Sequence, residues 1–177
     1  NSEISLTLST TSKSTYFWAK YSSGRQIFSL LRLVLSGEGE ISMFAEVPSN
    51  AKIVSIVVYN DDLDSGGSPS LATNVGLYNG ATKFTDTDGS STSYAAEGVI
   101  DEDCYATAIT TLQAANTAGV EVAFEAKNVN AIANHAWEDG GLSEDPGVPL
   151  RIALTMSNAA ATAAAGDITM VVTYITD

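Results

Sequence analysis

The stretch Ala51-Lys52-Ile53-Val54-Ser55-Ile56-Val57-Val58-Tyr59 decides the fold. Six of its nine residues are β-branched or aromatic, the types that fit a pleated, half-buried surface. It stops at Asn60-Asp61-Asp62-Leu63-Asp64-Ser65-Gly66-Gly67, a run of turn formers. Downstream, 71–78 reads as a strand ending at Asn79-Gly80, a strong hairpin signal with 82–84 as the return strand. Residues 86–93 form a polar loop, and 95–112 have no clean period. Residues 119–126 alternate, with Val120, Val122, Phe124 and Ala126 on one face and Glu121 and Glu125 on the other. Residues 128–142 are the helix candidate, with Ile132, Ala136 and Trp137 near one face and Gly140-Gly141 as the cap. Pro146 and Pro149 hold off regular structure until two strands at 150–156 and 167–176.

Upstream of the deciding stretch, 40–47 reads as a strand. Residues 26–35 fit a buried strand or a helix, 9–14 are hydroxyl-rich, and 4–8 alternate as a short strand. The sum is about eight short strands and one short helix near residues 128–142. This predicts an all-β protein: a single antiparallel β-sandwich, jelly-roll-like, over 15–177, with 1–14 as an N-terminal arm or edge strand. The missing strand–helix rhythm argues against a parallel α/β fold, and the missing repeat against a propeller or solenoid.

The chain's 177 residues and 18.4 kDa make one domain, and 45% apolar content supports a packed core without staples. Eight basic and 21 acidic residues leave a net charge of −13. That argues against nucleic acid, which requires a basic stripe, and against an anionic membrane surface. The longest apolar run falls short of the roughly 18 residues that cross a bilayer. Cys104 is the sole cysteine, so no intramolecular disulfide forms, and no Asn-x-Ser/Thr sequon occurs. Both suit synthesis in a reducing, non-glycosylating cytoplasm. The chain starts at Asn1, so an initiator or leader is expected to have been removed or left out of the numbering.

Catalysis has few parts to draw on. His135 is the single histidine, and no Gly-x-Ser-x-Gly elbow occurs. Cys104 follows Asp101-Glu102-Asp103, neighbours that raise a thiol's pKa and blunt a nucleophile. No zinc spacing, P-loop or dinucleotide fingerprint is present. Asp62/Asp64 and Asp86/Asp88 have the local look of calcium loops, but neither fits the EF-hand pattern, and Asp in turns commonly bonds its own backbone. No enzyme, cofactor or metal site is therefore expected. The cluster Tyr16, Phe17, Trp18 and Tyr21 is the candidate partner-binding surface, since aromatics anchor interfaces, although alternate residues of a strand also fill a sandwich core. Trp137 is expected to plug the open end of the sandwich.

Three segments carry a resemblance. They are Ala51-Lys52-Ile53-Val54-Ser55-Ile56-Val57-Val58-Tyr59-Asn60-Asp61-Asp62-Leu63-Asp64 with Asn74-Val75-Gly76-Leu77-Tyr78; Trp137-Glu138-Asp139-Gly140-Gly141-Leu142-Ser143-Glu144-Asp145-Pro146-Gly147; and Gly166-Asp167-Ile168-Thr169-Met170-Val171-Val172-Thr173-Tyr174-Ile175-Thr176-Asp177. In this order they resemble small structural proteins of tailed bacteriophages, from Ala51 to the C-terminus. The resemblance implies a virion protein, a head decoration or cement protein on the capsid surface. It also implies the major capsid protein as partner and a homotrimer at a symmetry axis. The competing expectation is a carbohydrate- or receptor-binding module of a tail fibre, using the aromatics and a calcium-stabilised loop.

Overall fold

The computed structural model describes the backbone of residues 15–20, 25–34 and 41–44, and backbone and side chains of 45–79 and 98–176. In chain order these residues form strands β1 (Thr15–Lys20), β2 (Arg25–Val34), β3 (Ile41–Val47), β4 (Lys52–Asn60), β5 (Ala72–Asn79), β6 (Val99–Ile109) and β7 (Asn116–Glu121). A single helical turn α1 (Ala136–Asp139) precedes β8 (Leu150–Asn158) and β9 (Ala165–Ile175). One sheet runs β1-β2-β9-β4-β7 and the other β3-β8-β5-β6, with every pairing antiparallel. This is the expected antiparallel sandwich, and it supplies the strand order that the sequence left open.

The deciding stretch is the spine of the larger sheet, β4 between β9 and β7. Ile53, Ile56 and Val58 are fully buried, a spacing that breaks strict alternation. The register against β9 shifts between Ile53 and Ser55, and this bulge turns Ile56 back toward the core. From the facing sheet come Val75, Leu77, Ile152, Leu154 and Met156, which meet Ile168, Met170 and Val172 of β9 in one cluster. Strand β5 is buried almost throughout, between β6 and β8. Gly76 is required there: a Cβ would stand 2.2 Å from the Asp101 carbonyl oxygen and from Glu102 backbone. Gly119, at φ +83, likewise sits against the Tyr59 ring.

Three expectations are corrected. The strand expected over 119–126 ends at Glu121. There the Glu121 carboxylate accepts the Ile56 and Ala123 backbone N–H groups at 2.8 and 2.9 Å, and Ser55 Oγ donates to its other oxygen. The side chain takes the donors a longer ladder would need, and the chain turns at 123–124. The helix near 128–142 is a 3-10 turn at Val129–Ala131 and then α1. It is interrupted because His135 is extended and bridges to Lys52, while the Ala136 and Trp137 N–H groups donate to Ala51 and Ser49 carbonyls. Glu138 reaches back to the His135 N–H at 2.7 Å and restarts the helix for one turn. Ile132, expected on the apolar face, is exposed; Ala136 is buried, and Trp137 packs half-buried on the core.

The stretch 95–112 has no period in the sequence; its described part holds β6 and the start of a 3-10 turn at Thr111–Gln113. The described antiparallel partners of Tyr78 are Val99 and Arg151. The return strand expected at 82–84, the polar loop 86–93, the N-terminal strand 4–8 and the arm 1–14 lie outside the described residues.

Candidate assembly surface and the buried acidic groups

Three of the four aromatic cluster residues lie on a strand that is, among the described residues, at a sheet edge. Tyr16, Phe17 and Trp18 sit on β1, opposite Leu30, Ser29 and Phe28 of β2. Among the described residues β1 pairs with β2 alone. Tyr21 lies outside the described residues. The strand reads Thr-Tyr-Phe-Trp-Ala-Lys and carries no acidic residue. In the other sheet the edge strand among the described residues, β6, carries Asp101, Glu102 and Asp103. Charge on an exposed edge disfavours pairing with another strand, so the chemistry of the two edges is opposite.

The acidic loop after β4 is built around Asp64. Its side chain is buried, and its oxygens accept backbone N–H groups from Ser70, Leu71, Ala161 and Thr162 at 2.6 to 3.1 Å. Burial pushes its carboxyl up, and these donors more than reverse that, holding it at about 2. Asp62 accepts the Asp64 N–H at 3.0 Å in an Asx turn. The carboxylate thereby ties the loop after β4 to the one between β8 and β9, across almost 100 positions of sequence. Among the described residues no group of three or more His, Cys, Asp and Glu is placed to hold a metal ion. Asp86 and Asp88 lie outside the described residues.

A second buried carboxylate was not foreseen. Lys127 Nζ donates to Asp139 Oδ2 at 2.6 Å, with side chains 6% and 1% exposed. Tyr105 Oη donates to the same oxygen at 3.2 Å. The ammonium also stands 5.7 Å from the ring centres of Tyr105 and Phe124. Burial drives the Asp139 carboxyl above its ordinary range, against the pull of Lys127 and Tyr105. One signal was present in the chain: Lys127 is the sole Lys or Arg between Lys83 and Arg151.

Cys104 lines a cavity beside this pair. Burial first, then the Asp101 and Asp139 charges, push its thiol far above the usual range, so it stays protonated. His135 Nδ1 lies 3.0 Å from Glu138 Oε2, and its ring is parallel to Trp137 with centres 6.4 Å apart. These residues cap α1 and seat Trp137. Among the described residues no helix is long and apolar enough to cross a membrane.

No family model matches the chain, and no curated protein does. Two solved structures are similar. A chain from the capsid of Ralstonia phage GP4 superposes with a TM-score of 0.59 at 20% identity, covering 93% of this chain and 84% of that one. A chain from the capsid asymmetric unit of cyanophage Pam1 gives a TM-score of 0.50 at 16% identity, covering 89% of each. The sandwich described above is therefore a fold found in chains of two phage capsids, shared over nearly the whole of this sequence.

Proposed function

We propose that the chain is a non-enzymatic structural protein of a phage particle: a decoration or cement protein that binds the outside of the head and stabilises it. The observation that carries this reading is the whole-length likeness to chains of two phage capsids. The chemistry agrees with it. The thiol is held protonated, and the buried carboxylates serve the fold. The acidic balance keeps such a protein off a packaged genome and off itself before assembly. The uncharged stretch of β1, with Tyr16, Phe17 and Trp18, is the edge suited to strand addition onto the major capsid protein. A homotrimer is the assembly we favour, since closed cyclic oligomers match the symmetry axes of a shell.

Reconstitution tests this. Purified chain is added to heads that lack it, and bound protein and the temperature of head disruption are measured. Saturable binding at a ratio set by the lattice, with a higher disruption temperature, is expected. Heads that neither bind the chain nor gain stability would overturn the reading, and glycan binding by the isolated chain would then favour a tail-fibre module. Light scattering at working concentration should give three times the chain mass, and a monomer on the particle would remove the trimer.

A further inference from the structure

Between β6 and the segment 126–139 lies a cavity of about 370 Å³. Asp101, Asp103, Cys104, Lys127, Glu138 and Asp139 line it, so four carboxyl side chains face one ammonium. Lys127 is already committed to Asp139 and to the Tyr105 and Phe124 rings. Asp139 takes both of its donors on Oδ2, while its Oδ1, in a side chain only 1% exposed, has no hydrogen-bond partner. A buried acceptor in that condition is costly and calls for a donor. Asp101 is pushed up first by burial and also by the Asp103 side chain hydrogen-bonded beside it, while the Asp103 and Cys104 backbone N–H groups pull it down. The 3-10 turn that closes the cavity through Ala131 also presents Val129 and Ile132, two of the exposed large apolar side chains.

We propose that this cavity receives the guanidinium of an arginine side chain from a neighbouring polypeptide, with Val129 and Ile132 packing against the apolar residues that flank it. The argument from chemistry is direct. A guanidinium brings five N–H donors in a plane, enough to engage Asp101 and Asp103 together, and a small rotation of the Asp139 carboxylate would turn its enclosed Oδ1 to a remaining donor. It stays charged at any working pH and sheds water more readily than an ammonium. A bare divalent ion fits less well, because no three of the described carboxyl, thiol or imidazole groups converge on one point. The identity of the neighbour as a capsid protein rests on the function proposed above, whereas recognition of the guanidinium does not.

The full-length chain, labelled with ¹⁵N, is titrated with N-acetyl-arginine amide and followed by amide chemical shifts. Its neutral isostere, N-acetyl-citrulline amide, is the control. Expected is a saturable response confined to residues 101–107 and 126–139 with arginine and none with citrulline. The Asp101→Asn/Asp103→Asn double variant should keep the spectrum elsewhere and bind at least tenfold more weakly, while Glu102→Gln, outside the cavity lining, should bind as the parent does. Equal response to citrulline, shifts scattered over the acidic surface, or movement of these signals by calcium chloride alone would each overturn the inference. Presence of the chain in particles without arginine binding would overturn the inference alone. Arginine binding by a chain absent from particles would uphold the cavity's ligand and remove the capsid neighbour.

Discussion

Asp64 and Asp139 are the same side chain buried in two regions of one sandwich, and their surroundings move them in opposite directions. Asp64 is met by four backbone N–H groups, which outweigh the cost of burial and hold its carboxyl at about 2. Asp139 has an ammonium and a phenol on one oxygen and nothing on the other, and burial prevails. The difference teaches that burial alone does not set the state of such a carboxylate; the number and placement of donors count as well. A fully satisfied acid locks two loops together. A half-satisfied one marks a place where a further donor would be welcome, and it lies in the cavity.

The sharpest way to break this comparison is to remove the half-satisfied acid. Asp139→Ala leaves Lys127 buried without its counter-charge, and should cost about 3–5 kcal/mol in urea unfolding. The apolar pair Lys127→Met with Asp139→Leu should recover most of that loss. A double variant as unstable as the single would show that packing, and not the stranded charge, was responsible.

Next in size is a change that disturbs one region and leaves the other alone. Gly76→Ala drives a Cβ into the β6 backbone at Asp101 and Glu102. A cost of about 1–3 kcal/mol is expected from overpacking of this kind. Hydrogen exchange should rise along β6 and the cavity wall while the Ser70, Leu71 and Thr162 amides stay protected. Loss of protection at both places would mean that the two regions open as one unit.

Acid titration separates the two groups by sign. Asp64 is held below its ordinary 3.8, so on acidification the unfolded chain takes up this proton first. Its stabilisation is complete above about pH 4 and fades as the pH falls toward 2. Asp139 is held above its ordinary value, so on raising the pH the unfolded chain loses this proton first. Its contribution therefore declines as the pH climbs from 3.8 through its raised value. Asp64→Asn should flatten the stability profile between pH 4 and 2, and Asp139→Asn should flatten it above 4. Chemical unfolding at a series of pH values reads both, and matching profiles for the two variants would contradict the assignment.

The smallest effect belongs to an acid held by a side chain. Ser49 Oγ donates to Asp145 Oδ1 at 2.5 Å and is the main reason its carboxyl sits below the ordinary range. Ser49→Ala should lower stability only slightly, because the accepting carboxylate is exposed to solvent. The Asp145 carboxyl should move back up in an NMR titration, and no movement would assign its state to the Gly147 N–H instead.

What was legible in the sequence follows from range. Residues 51–59 and 167–176 announce strands because β-branched side chains state their preference locally, whereas 150–156 has only Ile152 and Thr155 of that type and is marked by the prolines that precede it. The alternation of 119–126 was real but outbid at Glu121, whose carboxylate takes the Ile56 and Ala123 N–H groups. The 128–142 helix failed because Ser49 and Ala51, some 85 positions away, claim the Trp137 and Ala136 donors. Tyr16, Phe17 and Trp18 were singled out as a cluster, but their place on a sheet edge depends on strand order, which no local pattern encodes. The Lys127–Asp139–Tyr105 group was missed since its members stand 12 and 34 positions apart and meet only after folding. Asp64 was read as turn chemistry; its bonds to Ser70 and Leu71 stay within its own loop, but those to Ala161 and Thr162 reach a second loop almost 100 positions away, which no local pattern encodes.

The most direct test of the proposed function is whether purified phage particles from the source of this sequence contain the chain, and in how many copies relative to the major capsid protein, by quantitative mass spectrometry. Near-stoichiometric copies, in a ratio fixed by the capsid lattice, are the expected result for a head decoration or cement protein. A handful of copies, or none, would contradict it.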